Sequence, residues 1–80
     1  MYKITKWTKH VTDNKQDMVV CEKPKDLNEK FRLLDDDGLI YAYGYSNNSS
    51  SFAPLDRYQG DYGCTEIQYK NPKTGEYETL

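Results

Sequence analysis

A chain of 80 residues is one domain's worth, and a domain of this size buries only roughly 60% of the surface its unfolded chain exposes, so a division in two is excluded and a single domain over 1–80 is expected. Hydrophobic residues make up 36% and mean hydropathy is −0.99, which implies a thin core and leaves no apolar run near the roughly 18 residues of a membrane-spanning helix. Eleven Lys/Arg against thirteen Asp/Glu leave a net charge of −2, which argues against attachment to nucleic acid by bulk charge alone.

Residues 2–9 read as a strand, rich in the β-formers Tyr2, Ile4, Thr5, Trp7 and Thr8, with Lys6 interrupting a clean alternation. This opening also lacks the apolar stretch and cleavage site of a secretory signal, so an intracellular, cytoplasmic protein is expected. A polar turn at 12–17 leads to the short apolar run Met18–Glu22, and Pro24 opens room for a single helical turn before Lys30. The strongest local signal is Phe31–Tyr45, where two β-prone runs flank Asp35-Asp36-Asp37-Gly38. Aspartates that accept nearby backbone N–H groups and a glycine free to take positive φ predict a hairpin there. Alternation then puts Leu39, Tyr41, Tyr43 and Tyr45 on one strand face and Ile40, Ala42 and Gly44 on the other. The face with the small residues is expected to meet another element closely, with Gly44 marking the approach or a bulge.

Ser46–Ser51 is a polar loop. Ser51 is placed to cap a short helix from Phe52, in which Phe52, Leu55 and Tyr58 share a face and which ends by Gly60 or Gly63. Cys64–Tyr69 alternates as a strand, Asn71–Gly75 is a turn, and Glu76–Leu80 closes a second hairpin. The expected fold is α+β, a small and mostly antiparallel β-sheet of four to six short strands with one or two short helices.

Side-chain chemistry narrows the function classes. His10 is the single histidine, which leaves triads and two-histidine metal sites one residue to build on. Aligning Gly38 with the glycine of a calcium loop puts Leu33 and Gly44 at the terminal ligand positions, so that signature fails. Gly60 and Gly63 lack the Lys-Ser/Thr of a phosphate cradle. No enzyme, cofactor or metal is therefore expected. Cys21 and Cys64, too far apart for a redox or zinc pair, read as buried thiols, with a structural disulfide between them as the alternative. Residues 1–32 carry eight Lys/Arg and five Asp/Glu and residues 33–80 three and eight, a basic opening followed by an acidic remainder. Eight tyrosines suit both a wet-edged core and a binding surface.

The stretch from Phe31 through Gly38, with Tyr41, Gly44-Tyr45-Ser46, Phe52–Asp56 and Gly63–Tyr69, resembles small hypothetical proteins of phages and other mobile elements of Gram-positive bacteria. The resemblance covers about half of the 80 residues and implies a genomic setting rather than a mechanism. In that setting, small acidic proteins are often anti-defence factors such as anti-CRISPR proteins. The expectation that follows is a phage-type accessory protein of the host bacterial cytoplasm that binds a host protein, such as a nucleic-acid-binding defence nuclease, and inhibits it stoichiometrically. Asp35, Asp36 and Asp37 would mimic phosphate, Tyr41, Tyr43 and Tyr45 would anchor, and Asp56 and Asp61 would extend the acidic surface. The alternatives are a nucleic-acid-binding regulator that uses the tyrosine face, which requires Lys3, Lys6, Lys9 and Arg32 to line the same groove, and a virion component.

Overall fold

In the computed structural model of the chain, which describes residues 1–8 and 22–80, five strands form one sheet and one helix crosses it. The strands are β1 (Tyr2–Trp7), β2 (Glu29–Leu34), β3 (Ile40–Ser46), β4 (Glu66–Lys70) and β5 (Tyr77–Thr79), and the helix α1 (Ala53–Tyr62) lies between β3 and β4. Sheet order is β1-β3-β2-β4-β5, with every neighbouring pair antiparallel. The fold class is therefore α+β, as expected. The expected turn at 12–17 and the run from Met18 to Cys21 lie outside the described residues, as do Lys9 and His10. The segment at Pro24 is a hydrogen-bonded turn, Leu27 N–H to Pro24 O, and it drops Leu27 fully into the interior.

Turn chemistry sets both hairpins. Between β2 and β3, Asp35 Oδ1 accepts the N–H groups of Asp37 at 2.9 Å and Leu39 at 3.0 Å, while Gly38 takes φ 81°, a conformation that a side chain would strain. Between β4 and β5, Asn71 Oδ1 accepts Lys73 N–H and Gly75 N–H closes on Asn71 O at 2.7 Å. The helix N-cap is Phe52, which makes no side-chain cap hydrogen bond, rather than the Ser51 expected; Ser51, one residue earlier, accepts Ala53 N–H and tightens the turn that leads in. The helix ends at Gly63, whose φ of 83° gives the left-handed cap that glycine adopts without penalty.

A single helix can cover only one side of a sheet, and that side holds the core. Phe31, Leu33, Ala42, Ile67 and Tyr69 from the sheet pack with Leu55 of α1 and with Cys64, a free buried thiol. Each large side chain buried this way contributes roughly 1.5–3 kcal/mol. Rings complete the layer: Tyr2 meets Phe31 and Tyr58 edge-on, and Trp7 meets Tyr58 and Tyr62. Gly44 sits beneath the Phe31 ring, so the expected close approach at the small-residue face is present. Phe52, by contrast, is exposed. Pro54 and Leu55 are the buried residues of the first helical turn, because the helix begins one residue later than the Phe52-Leu55-Tyr58 stripe assumed.

Two bulges correct the face assignments of simple alternation. In β1 the register slips between Ile4 and Lys6, so the extra residue Thr5 interrupts the period and both Lys3 and Lys6 pair with tyrosines of β3. In the β2–β3 ladder it slips between Leu33 and Leu34, leaving Tyr41 as the unpaired residue. Such a bulge turns its side chain off the regular face. Tyr41 accordingly packs against the core and its hydroxyl reaches Asp35 Oδ2 at 3.2 Å, apart from Tyr43 and Tyr45.

Candidate functional site: the uncovered sheet face

Opposite the helix, the pleat projects a second set of side chains, and pairing brings them together. Tyr45 lies between Lys3 of β1 and Lys30 of β2, and Tyr43 between Lys6 and Arg32. Arg32 in turn faces Gln68 of β4, and Lys70 faces Tyr77 of β5. Five cations from three strands thus surround three phenol rings. The contacts are direct: Lys30 Nζ is 5.6 Å from the Tyr43 ring centre and 6.0 Å from that of Tyr45. Lys23, from the turn before β2, lies 5.3 Å from Tyr45. The Arg32 guanidinium stacks at 4.0 Å on Tyr77, whose ring centre is 6.5 Å from that of Tyr43. A shallow cavity of about 420 Å³ is lined by Thr5, Lys6, Lys30, Tyr43, Lys70 and Tyr77 among others.

The electrostatics of this face differ from those of the whole chain. Among the described residues, the carboxylate of Glu66 enters its polar network, and Gln68 Nε2 and the Thr79 hydroxyl both donate to it at 2.6 Å. Burial pushes the Tyr77 phenol above its ordinary value, against the opposing pull of Lys30 and Arg32. Four of the five cations, Lys3, Lys6, Lys30 and Arg32, come from the basic opening of the sequence, and Lys70 joins them from the acidic remainder through β4.

The residues singled out in the sequence distribute over three places. Tyr43 and Tyr45 lie together on the uncovered face, with Lys3, Lys6 and Arg32 beside them, while Lys9 lies outside the described residues. Asp35, Asp36 and Asp37 form the hairpin tip: Asp35 is committed to the turn and to Tyr41, Asp36 accepts the Thr65 hydroxyl at 2.6 Å, and Asp37 is exposed. Asp56 is exposed in the first turn of α1, and Asp61 belongs to its last. Sequence reasoning missed Lys30, Lys70, Gln68 and Tyr77. Lys30 was within reach, since it alternates with Arg32, but Lys70 and Tyr77 join the face only through the pairing of β4 and β5. Among the described residues, no group of three His, Cys, Asp or Glu is arranged to hold a metal ion, and no helix is long and apolar enough to cross a membrane. Comparison with protein-family models, curated proteins and solved structures finds no match for the chain.

Proposed function

We propose that the protein is a non-catalytic binding module whose uncovered sheet face takes up single-stranded nucleic acid. The observation that carries the reading is the placement of the half-buried Tyr43 and Tyr45 among Lys3, Lys6, Lys30 and Arg32 on the sheet surface that the helix leaves uncovered. Strand geometry spaces residues i and i+2 by about 7 Å, a separation an extended single strand can match with successive bases. Each base stacked on an aromatic ring contributes about 1–3 kcal/mol, with little dependence on sequence. The lysine ammonium groups sit on flexible stems, so they can swing from the rings onto phosphates as bases arrive. A duplex hides its base faces and gains only the charge attraction.

Inhibition of a bacterial defence complex through the acidic tip has less support, because Asp35 and Asp36 already hold hydrogen bonds within the fold. The test is fluorescence anisotropy with a labelled oligothymidylate. Binding should weaken as salt rises, with a logarithmic slope of about −2 to −3.5 if roughly three to five phosphates are neutralised. It should fall about fivefold or more for each of Tyr43→Ala and Tyr45→Ala. Charge reversal at the tip, Asp36→Lys with Asp37→Lys, should leave affinity equal or raised. A protein that ignores the oligonucleotide, yet captures a bacterial protein only while its tip is acidic, would overturn this reading in favour of the tip.

A further inference from the structure

We infer that Arg32 is a preorganised phosphodiester grip within this face, fixing one backbone phosphate of the strand while Tyr43 and Tyr45 hold its bases. The inference rests on the nucleic-acid reading above and adds to it a specific ligand atom set and a register. The guanidinium is held on two sides. Its Nε–H donates to Gln68 Oε1 at 2.7 Å, and its Cζ lies over the Tyr77 ring, 4.0 Å from the centre. Gln68 is itself fixed, because its Nε2 donates to Glu66 Oε2 at 2.6 Å and to the Thr79 hydroxyl at 3.2 Å. A free arginine side chain loses much rotamer entropy when it binds; one already oriented by a stack and a hydrogen bond loses less.

The four Nη–H bonds of a guanidinium remain once Nε–H is used, and among the described residues no hydrogen bond or ion pair engages them. A planar fork of paired donors matches two oxygens of one phosphate. Glu66, the nearby carboxylate, accepts from Gln68 and Thr79 and so helps hold the glutamine that orients Arg32. Lys30 and Lys6 differ in kind: a lysine presents a point charge on a flexible stem rather than a planar fork, suited to general attraction along the strand. A carboxylate could also fit the fork, but the stacking rings at Tyr43 and Tyr45 match bases, which an acidic peptide lacks.

The experiment uses the full chain and an oligothymidylate of about four nucleotides, short enough that two stacked bases leave little room for a homopolymer to slide, in a series with one neutral methylphosphonate linkage moved along the strand. Wild type should show one linkage whose neutralisation costs about tenfold in affinity, the loss expected of a charge-assisted bidentate pair, against small penalties elsewhere. In Arg32→Lys, which keeps the charge but not the fork, overall affinity should fall about tenfold and the special linkage should disappear. Tyr77→Leu should do the same through loss of the stack, while Tyr77→Phe should retain the wild-type profile. Circular dichroism of each variant separates these effects from unfolding, and the conservative Tyr77→Phe controls for loss of the hydroxyl. If wild type binds the oligonucleotide but Arg32→Lys binds within twofold, or the penalties are uniform along the strand, the grip is refuted and the face reading stands. Polyglutamate competing as well as the oligonucleotide would refute the phosphate assignment. Failure of wild type to bind any of the series would remove the reading of the face, and the grip with it.

Discussion

Gly44 is where the sheet, its edge strand and its core meet, and replacing it with alanine probes all three. An added Cβ would lie 2.5 Å from Phe31 Cζ and 3.0 Å from Cε2, and closer still to the main-chain oxygen of Lys3. The ring is fully buried, so it can move only by displacing Leu55, Ile67 or other core neighbours. Lys3 O belongs to β1, and shifting it disturbs the pairing of Ile4 with Gly44. Overpacking of a dense core costs about 1–3 kcal/mol, and with one neighbour being backbone the upper end applies, about 3 kcal/mol. For a domain of this size that corresponds to a fall in Tm of about 12–24 °C. Thermal and urea melts followed by circular dichroism give the number. Adding Phe31→Leu should relieve the ring contact but not the backbone one, so the double variant should be more stable than the sum of the two single losses by about 1 kcal/mol. A Gly44→Ala protein within about 0.5 kcal/mol of wild type would refute the packing argument and the positions of β1 and Phe31 with it.

Other consequences are smaller. Asp35→Ala removes the acceptor for two turn N–H groups and for the Tyr41 hydroxyl, and should lower stability by about 1–2 kcal/mol in the same melts. The two glycines of the helix end should respond with opposite sign. Gly60→Ala has open space around it within α1 and should stabilise by about 0.4–1 kcal/mol. Gly63→Ala must hold φ near 83° and should destabilise by about 1 kcal/mol. Burial raises the Cys64 thiol and the phenols of Tyr2, Tyr69 and Tyr77, and burial together with Asp35 raises that of Tyr41. Groups raised in the folded state hold their protons more tightly there than in the unfolded chain. Their contribution is therefore intact below the ordinary thiol and phenol values, and it is lost as pH rises through the raised ones, beginning above about pH 9. Urea midpoints measured across that range should fall with increasing pH, and Cys64→Ala should remove the earliest part of the fall.

Local chemistry made much of this fold legible in advance. The Asp35–Gly38 and Asn71–Gly75 turns act through their own side chains and glycine backbones, so they need no partner to be recognised. The strands they join alternate over short spans, and Gly63 stops the helix by itself. The two bulges were hidden, because an unpaired Thr5 or Tyr41 exists only relative to the strand opposite, and alternation applied to one strand alone grouped Tyr41 with Tyr43 and Tyr45. The order β1-β3-β2-β4-β5 was equally out of reach, and with it the meeting of cations from β1 and β2 with Lys70 of β4 around tyrosines of β3 and β5. Counting charge along the sequence located the basic opening that supplies four of these five cations, but the sheet face they share is set by strand pairing and a period of two. The acidic tip stood out in the sequence because three aspartates are adjacent, but two of them stabilise the hairpin and its contact with Thr65.

Chemical-shift mapping of the isotopically labelled full chain with an unlabelled oligothymidylate locates the working surface directly. Shifts should concentrate at Tyr43, Tyr45, Lys30, Arg32 and Tyr77, with Leu55, Arg57 and the rest of α1 unmoved. Perturbations confined to Asp35–Gly38 or to the helix, or a spectrum unchanged at saturating oligonucleotide, would contradict the assignment of the uncovered face.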